Sequence, residues 1–301
     1  MDLFAAHESL LGRRVADGTA VAVTTAGVLG DSGMGSPVYL LTLRGESWAR
    51  LVRSEAAYRR AVAGRGVVRA VTRPTVGELA SCMALNLGLD NRGVLPPFLP
   101  VQRNQDGVFA GLLRAADPAA WRGWLPWAVV HDSPGPRPAA ADPWADAAAI
   151  RTGQAVQILV RLAAGHVAGG DVAARLRGLG AALQEFAALP PAEFERVLHD
   201  QWRQQLAGLG AQLADALRRH DGRPDFWADD VRHLLTAWRD GLADPGAAVP
   251  ADLAGSFGRE PARALTRRLV GRFGQLVSEW PDLVAAARDL RARGVRPAVP
   301  I

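Results

Sequence analysis

Asn86-Leu-Gly-Leu-Asp90-Asn-Arg92-Gly-Val-Leu-Pro96-Pro-Phe98-Leu-Pro-Val-Gln-Arg103-Asn104-Gln-Asp106-Gly-Val-Phe109, closed further on by Trp124-Leu-Pro-Trp127-Ala-Val-Val-His131-Asp132, gathers more polar groups of chemical use than any other part of the chain. It reads as a short apolar strand, a Gly-x-Asp turn, a Pro/Phe loop, a short helix over 106–115 opened by an acid, and a strand over 124–131 that ends in histidine. Strand and helix alternating in this way give the region mixed α/β character.

Working outward, Thr19-Ala-Val-Ala-Val-Thr-Thr25 is β-branched and reads as a strand that ends at the turn-forming Gly30-Asp31-Ser-Gly33-Met-Gly35. Residues 38–43 read as a second strand. Residues 46–63 have helical spacing, with Trp48, Leu51, Val52, Ala56 and Ala57 inward and a stop at Gly64. Residues 80–86 read as a buried strand containing Cys82. Residues 132–142 are rich in Ser, Pro, Gly and Ala and read as a linker, because proline denies the backbone its donors and blocks helix. Beyond it, apolar residues recur at helical spacing over 156–167, 172–189, 194–217, 226–242, 262–277 and 283–290, with Trp280-Pro281-Asp282 opening a last helix that stops at Gly294. The expected fold is α/β then all-α: a mixed sheet over 1–140 followed by a helical bundle over 141–301.

With 301 residues, 49% of them hydrophobic, and nine tryptophans, the chain has enough apolar surface for two ordinary domains. All 35 basic residues are Arg, a bias that fits a GC-rich coding sequence. A net charge of +5 interspersed with 30 acids lacks the one-signed field of a nucleic-acid binder, so no nucleic-acid partner is expected. The single cysteine excludes an internal disulfide and a thiolate-rich zinc site and suits a reducing cytoplasm, the expected location. The first residues lack the basic and apolar regions of a signal peptide, and no apolar run is long enough to span a bilayer.

Asp106 has two readings that coexist. A carboxylate at a helix start is held at a fixed angle in its ionised form and suits a general base, while Asn104 or Asp106 equally suits a helix cap. His131, at a strand end, reads as a cleft residue or as a hydrogen-bonded histidine at a junction. Asp90, Asn91 and Arg92 read as a polar turn or as a grip on an anionic or hydroxylated ligand. Trp121, Trp124 and Trp127 suit a sugar platform, but their alternation with small apolar residues favours core packing. The 30–35 stretch lacks the Lys-Ser/Thr ending of a P-loop and reads as a flexible turn near the cleft, with Asp31 a polar contributor. His199, His220 and His233 have no metal spacing, and no nucleophile motif supports a catalytic triad.

The order of elements from Asn86 to His131 resembles the C-terminal, acceptor-side half of the catalytic domain of GT-A glycosyltransferases, in which an Asp opens a helix facing the acceptor and a later strand-end His ligates the metal. Here Asp106 and His131 lie 25 residues apart. The resemblance implies sugar transfer from a nucleotide-sugar donor to a small-molecule or glycan acceptor. In that reading Asp106 is the catalytic base, and His131 is a ligand to Mn2+ or Mg2+. Asp90, Asn91, Arg92, Arg103 and Asn104 bind substrate. Gln105 stands where the family carries a second acid, and the chain has no Asp-x-Asp. The donor site is therefore expected to have been lost by truncation or to come from a partner chain. The competing expectation is a non-enzymatic binding or assembly module that docks a partner through its helical half. A third is an unrelated α/β enzyme using Asp90 and Asp106 as acid and base.

Overall fold

The computed structural model describes residues 20–33, 36–79, 86–132 and 142–296. Its sheet is built around two long strands, β1 (Ala20–Asp31) and β5 (Ala120–His131), which run parallel with Ala20 opposite Ala120 and Gly30 opposite His131. On the far side of β1, β4 (Leu87–Leu89) pairs antiparallel with residues 23–25 and β2 (Gly66–Arg69) with residues 28–31, so the two lie end to end along one strand. The strand β3 (Thr75–Glu78) pairs antiparallel with β5 on its outer side. The β1/β5 register jumps between Thr25 and Gly27, where β5 passes through Pro126, which has no ladder donor to lose. Asn86 Nδ2 donates to the carbonyls of Ala26 (2.5 Å) and Gly27 (3.0 Å) and so satisfies backbone that the irregular ladder leaves open.

Several expected elements change. Residues 38–43 form one helical turn, α1 (Val38–Leu41), rather than a strand: Leu40 and Leu41 are both buried, which a period of two cannot achieve, and Thr42 Oγ1 donates back to the Tyr39 carbonyl. The expected helix over 46–63 is divided into α2 (Gly45–Leu51) and α3 (Glu55–Ala63), because Ser54 leaves the helical conformation and accepts the Ala57 amide at 3.2 Å as an N-cap. The strands β2 and β3 were not anticipated, since two of four side chains or fewer are apolar in each. The expected strand over 80–86 with Cys82 and the expected linker fall on 80–85 and 133–141, outside the described residues. Of the three tryptophans expected to pack inward, Trp121 is buried and Trp124 half-buried under Arg122, but Trp127 is 72% exposed.

The helix α4 (Gln105–Ala116) is apolar on two sides and binds the layers together. Phe109, Ala110 and Leu113 pack with Val23 of β1 and with Leu79, while Val108, Leu112 and Ala116 enter a larger core with α5 (Thr152–Ala164) and α6 (Val172–Ala188). That larger core also holds Leu40, Leu41 and Tyr58 from the first half beside Trp227, Trp238 and Val277 from the second. Packing thus crosses residue 140 continuously.

The remaining helices are α7 (Pro191–Arg219), α8 (Asp225–Leu242), α9 (Ala251–Phe257) and α10 (Arg259–Ala292). Where two helices were expected over 262–290 there is one of 34 residues, with Pro281 buried inside it. An interior proline costs about 3 kcal/mol, which burial of Val277 and Pro281 offsets, and the Trp280 indole donates to the Leu95 carbonyl at 2.7 Å. The expected stop at Gly294 is present: its φ of 77° and the bonds from the Gly294 amide to Arg291 and from the Val295 amide to Leu290 close the last turn. The helices α6 and α10 touch backbone to backbone at Gly180 and Gly274. A Cβ on Gly180 would lie 2.5 Å from the Gly274 carbonyl oxygen and 2.7 Å from Ser278 Cα. Alanine there gains up to about 1 kcal/mol in helix propensity but forces the helices apart, at about 1–3 kcal/mol. Gly180→Ala should therefore lower stability in denaturant titration, and a gain would show that the helices do not meet there.

Tyr58, fully buried, donates to Asp230 Oδ2 at 2.7 Å, and Arg59 reaches the same carboxylate at 3.1 Å, which ties α3 to α8. Burial, then the bond to Asp230, raises the Tyr58 phenol far above its usual range, and burial also raises Tyr39. A phenol whose folded pKa is raised contributes stability that is complete below the unfolded value near 10 and is lost as pH rises above it. The chain contains no Lys, one Cys and two Tyr, so few side chains titrate on its alkaline limb and the Tyr58 contribution can be read there. Tyr58→Phe should lose roughly 1.5–3 kcal/mol at neutral pH and show a shallower decline above pH 10. An unchanged alkaline slope would contradict the burial of this phenol.

Candidate functional site

The adjacent parallel strands β1 and β5 end together, at Asp31 and His131. The crevice beyond the carboxyl ends of parallel strands is where open α/β sheets most often place ligands, since the chain leaves the sheet there and loops converge. Gly30 makes the pairing feasible: it has φ of 106°, and a Cβ would collide with the His131 carbonyl. Past it, Asp31 Oδ1 accepts the Gly33 amide at 2.8 Å, an Asx turn, and Gly33 sits at φ of 68°.

Three cationic or polarisable side chains reach this turn from different elements. Arg65, preceding β2, places Nε 3.0 Å from Asp31 Oδ1, while its own carbonyl accepts the Ser32 amide at 2.6 Å. Arg65 Nη2 is enclosed and lacks a hydrogen-bond partner among the described residues. Arg103, preceding α4, donates through Nη2 to the Gly33 carbonyl at 2.7 Å. His131 Nδ1 lies 2.7 Å from the Asp31 carbonyl. A carbonyl only accepts, so Nδ1 carries the proton and neutral His131 keeps its lone pair on Nε2. Ser32 is buried against the turn and hydrogen-bonds Tyr39, whose hydroxyl also lies in the field of Arg69 and Arg65. Arg65 thus meets the Asp31 carboxylate, while Arg103 and His131 reach backbone carbonyls of the same turn.

The start of α4 adjoins this cluster through Arg103. Asn104 occupies the N-cap position with φ of 73°, but its side chain does not cap; Nδ2 donates to Gln157 Oε1 at 3.2 Å, and Gln157 Nε2 donates to the Gly107 carbonyl at 3.2 Å. Gly153 of α5 lies against the Arg103 backbone so closely that no Cβ fits. The start of α4 is therefore clamped to the start of α5. Asp106 Oδ1 accepts the Gly107 amide at 2.9 Å, so its carboxylate sits in the first turn of the helix.

Asp90, Asn91 and Arg92 lie elsewhere. The Asp90 amide donates to the Ala22 carbonyl, whereas His131 is opposite Gly30, eight residues further along β1, which is about 26 Å at strand rise. Hydrogen bonds from Arg92, including one of 2.6 Å from Nη2, pull the Asp90 carboxyl down to about 2. Arg288 of α10 donates to the Asn91 (3.1 Å) and Gly93 (2.6 Å) carbonyls, which ties this turn to the helical layer. The structure brings Arg103 and His131 together, with Asn104 and Asp106 following Arg103, and leaves the 90–92 turn at the other end of β1.

Among the described residues, no three of His, Cys, Asp and Glu gather in a way that would hold a metal ion. His131 Nδ1 meets the Asp31 backbone carbonyl, and the Asp31 carboxylate lies 3.0 Å from Arg65 Nε. Nor is any helix among the described residues long and apolar enough to cross a membrane. Sequence reasoning picked out Arg103, His131 and, weakly, Asp31; it missed Arg65, Ser32 and Tyr39. Arg65 had one available signal, its place in the Gly64-Arg-Gly66 turn after a helix. Comparison of the chain with protein-family models, with curated proteins and with solved structures finds no match.

Proposed function

We propose that the carboxyl edge of β1 and β5 binds a phosphate-bearing small molecule, and that the chain acts in glycosyl transfer from a nucleotide-sugar to a small-molecule or glycan acceptor. The observation that carries the reading is the convergence of Arg65, Arg103 and His131 on the 31–33 turn, with one enclosed Arg65 donor awaiting an acceptor. Guanidinium forks match the paired oxygens of a diphosphate, and charge-assisted bonds of this kind are about twice as strong as neutral ones. His131 in its Nδ1-H form adds a donor through Nε2 when protonated. Asp106, fixed on the first turn of α4, is the base that takes the acceptor hydroxyl proton as the anomeric carbon is attacked. The 90–92 turn belongs, in this reading, to a remote stretch of an extended acceptor.

A second reading, a non-catalytic binding or assembly module, draws on a different observation. Val68, Leu29 and Val130 stand side by side across β2, β1 and β5 and are 82%, 42% and 69% exposed, an apolar row wider than a lone surface residue. This row lies on the sheet, not on the helices where the sequence suggested docking. The two readings part at Asp106, which only the transferase uses.

Calorimetry with inorganic pyrophosphate and with uridine diphosphate glucose tests the binding. Saturable binding of at least one is expected, weakened about tenfold or more by Arg103→Ala, the equivalent of one charge-assisted hydrogen bond. No binding of either probe, or equal binding by the variant, would dismiss the site. Asp106→Asn should bind the probe as the parent does and lose sugar transfer by about a hundredfold or more. Transfer that survives this change would assign Asp106 to helix capping alone.

A further inference from the structure

On the far side of the helical layer, α2 and α3 face the turn between α7 and α8 across a cleft of about 800 Å3, within the roughly 300–1,000 Å3 of small-molecule sites. Its floor is aromatic and rigid. The His220 ring stacks on Trp48 with centroids 3.5 Å apart and planes 15° from parallel, and Trp227, fully buried, meets both rings edge-on at 5.7 and 5.8 Å. Phe226 continues the floor, backed by Tyr58 at 5.3 Å. The end of α7 sets His220 in place: Asp221, at φ of 49°, reverses the chain, and the Gly222 amide closes on the Leu217 carbonyl at 2.8 Å.

The walls carry charge of both signs, and it is already paired. Arg59 lies between Glu55 at 3.5 Å and Asp230 at 3.1 Å, Arg223 holds Asp225 at 2.7 Å, and Arg232 holds Asp229 at 2.7 Å. Three guanidinium groups face four carboxylates, so the walls carry little net charge to draw an ion of either sign. For a neutral ligand bearing adjacent hydroxyls the cost of leaving water is offset, because carboxylate and guanidinium edges retain acceptors and donors for a pair of vicinal hydroxyls. The aromatic floor selects, among polyols, those with an apolar C–H face.

We infer that this cleft binds neutral carbohydrate, a pyranose lying face-down on the His220 and Phe226 rings with its hydroxyls on the paired charges of Glu55 and Asp225. The inference does not rest on the phosphate reading of the carboxyl edge, and the two sites are told apart by their variants, Arg103→Ala at the edge and the wall substitutions in the cleft.

The test is calorimetry on the full chain with maltotriose, cellotriose and chitotriose, and with pyrophosphate and spermidine as charged probes. At least one trisaccharide should bind saturably. Glu55→Gln and Asp225→Asn should each weaken it by about threefold to tenfold, the range of one hydrogen bond, and His220→Ala by at least as much. If a variant melts early, titration of the unaltered chain followed at the Trp48 and Trp227 indole N–H resonances gives the same information: both should shift with the sugar. The inference is overturned if none of the three sugars binds, if the sugar that binds shifts neither indole signal, if binding is indifferent to the wall variants, or if a charged probe is the one whose binding they alter.

Discussion

The helices can reach the sheet because α6 and α10 have no side chains where they cross. At Gly180 and Gly274 each backbone occupies the space a Cβ would need, the Gly274 site lying 2.8 Å from the Gly180 carbonyl and 2.9 Å from Leu183 Cβ. This close approach seats the 34-residue α10 deep in the bundle, and from there its far end extends to the first half of the chain. Trp280 bonds the Leu95 carbonyl, and Arg288 grips the 91–93 turn. The helix α4, apolar on both sides, then fills the space between the sheet and α5 and α6. Remove the glycine contact and the layer above α4 has to move outward, taking the clamp on Arg103 and Asn104 with it.

The carboxyl edge of the sheet inherits its geometry from this packing. Arg103 reaches the 31–33 turn because Gly153 lets α5 close on the Arg103 backbone, and Gln157 holds Asn104 and Gly107 in a fixed relation. Arg65 arrives from the other direction, positioned by the β1/β2 ladder and by the bond from the Ser32 amide to its carbonyl. The cluster is thus held by rigid elements on two sides, which lowers the conformational entropy a ligand must overcome on binding.

What the sequence reveals of this arrangement follows from periodicity. The helices α5 to α8 announce themselves because burial on one face imposes a period of 3.6; the strand β5 is read from its apolar run over 124–131, although the buried part of the strand is 120–123. Residues 38–43 do not, since four apolar residues in succession suit one buried helical turn as well as a strand. The break at Ser54 is a capping event inside a continuing helical pattern, legible in retrospect from Ser54 and the first-turn Glu55. Pro281 misleads because local propensity predicts a helix start, while tertiary packing of Val277 and Trp280 carries the helix through. For the site, Arg103 and His131 stand out as polar groups at element ends. Arg65 does not, because what places it is pairing between β1 and β2, a long-range fact, and Tyr39 does not, because it meets Ser32 from a helical turn that the sequence reads as a strand. Asp90, Asp106 and His131 lie at element ends and were expected at one sheet edge, and the antiparallel direction of β4 separates Asp90 from His131 by most of the length of β1.

The central claim is that the sheet core and the bundle core, joined through α4, open as one cooperative unit, so that the edge is positioned by the helices as much as by the strands. Native-state hydrogen exchange on the unmodified chain tests it most directly, through the amides of residues 120–124 in β5 and of residues 270–277 in α10. A shared core predicts that both sets exchange through the same global opening, with equal free energies and equal sensitivity to denaturant. If the β5 amides exchange at distinctly lower free energy while α10 stays protected, the sheet is an independent unit, and the account of how α6, α10 and α4 position the carboxyl edge is wrong.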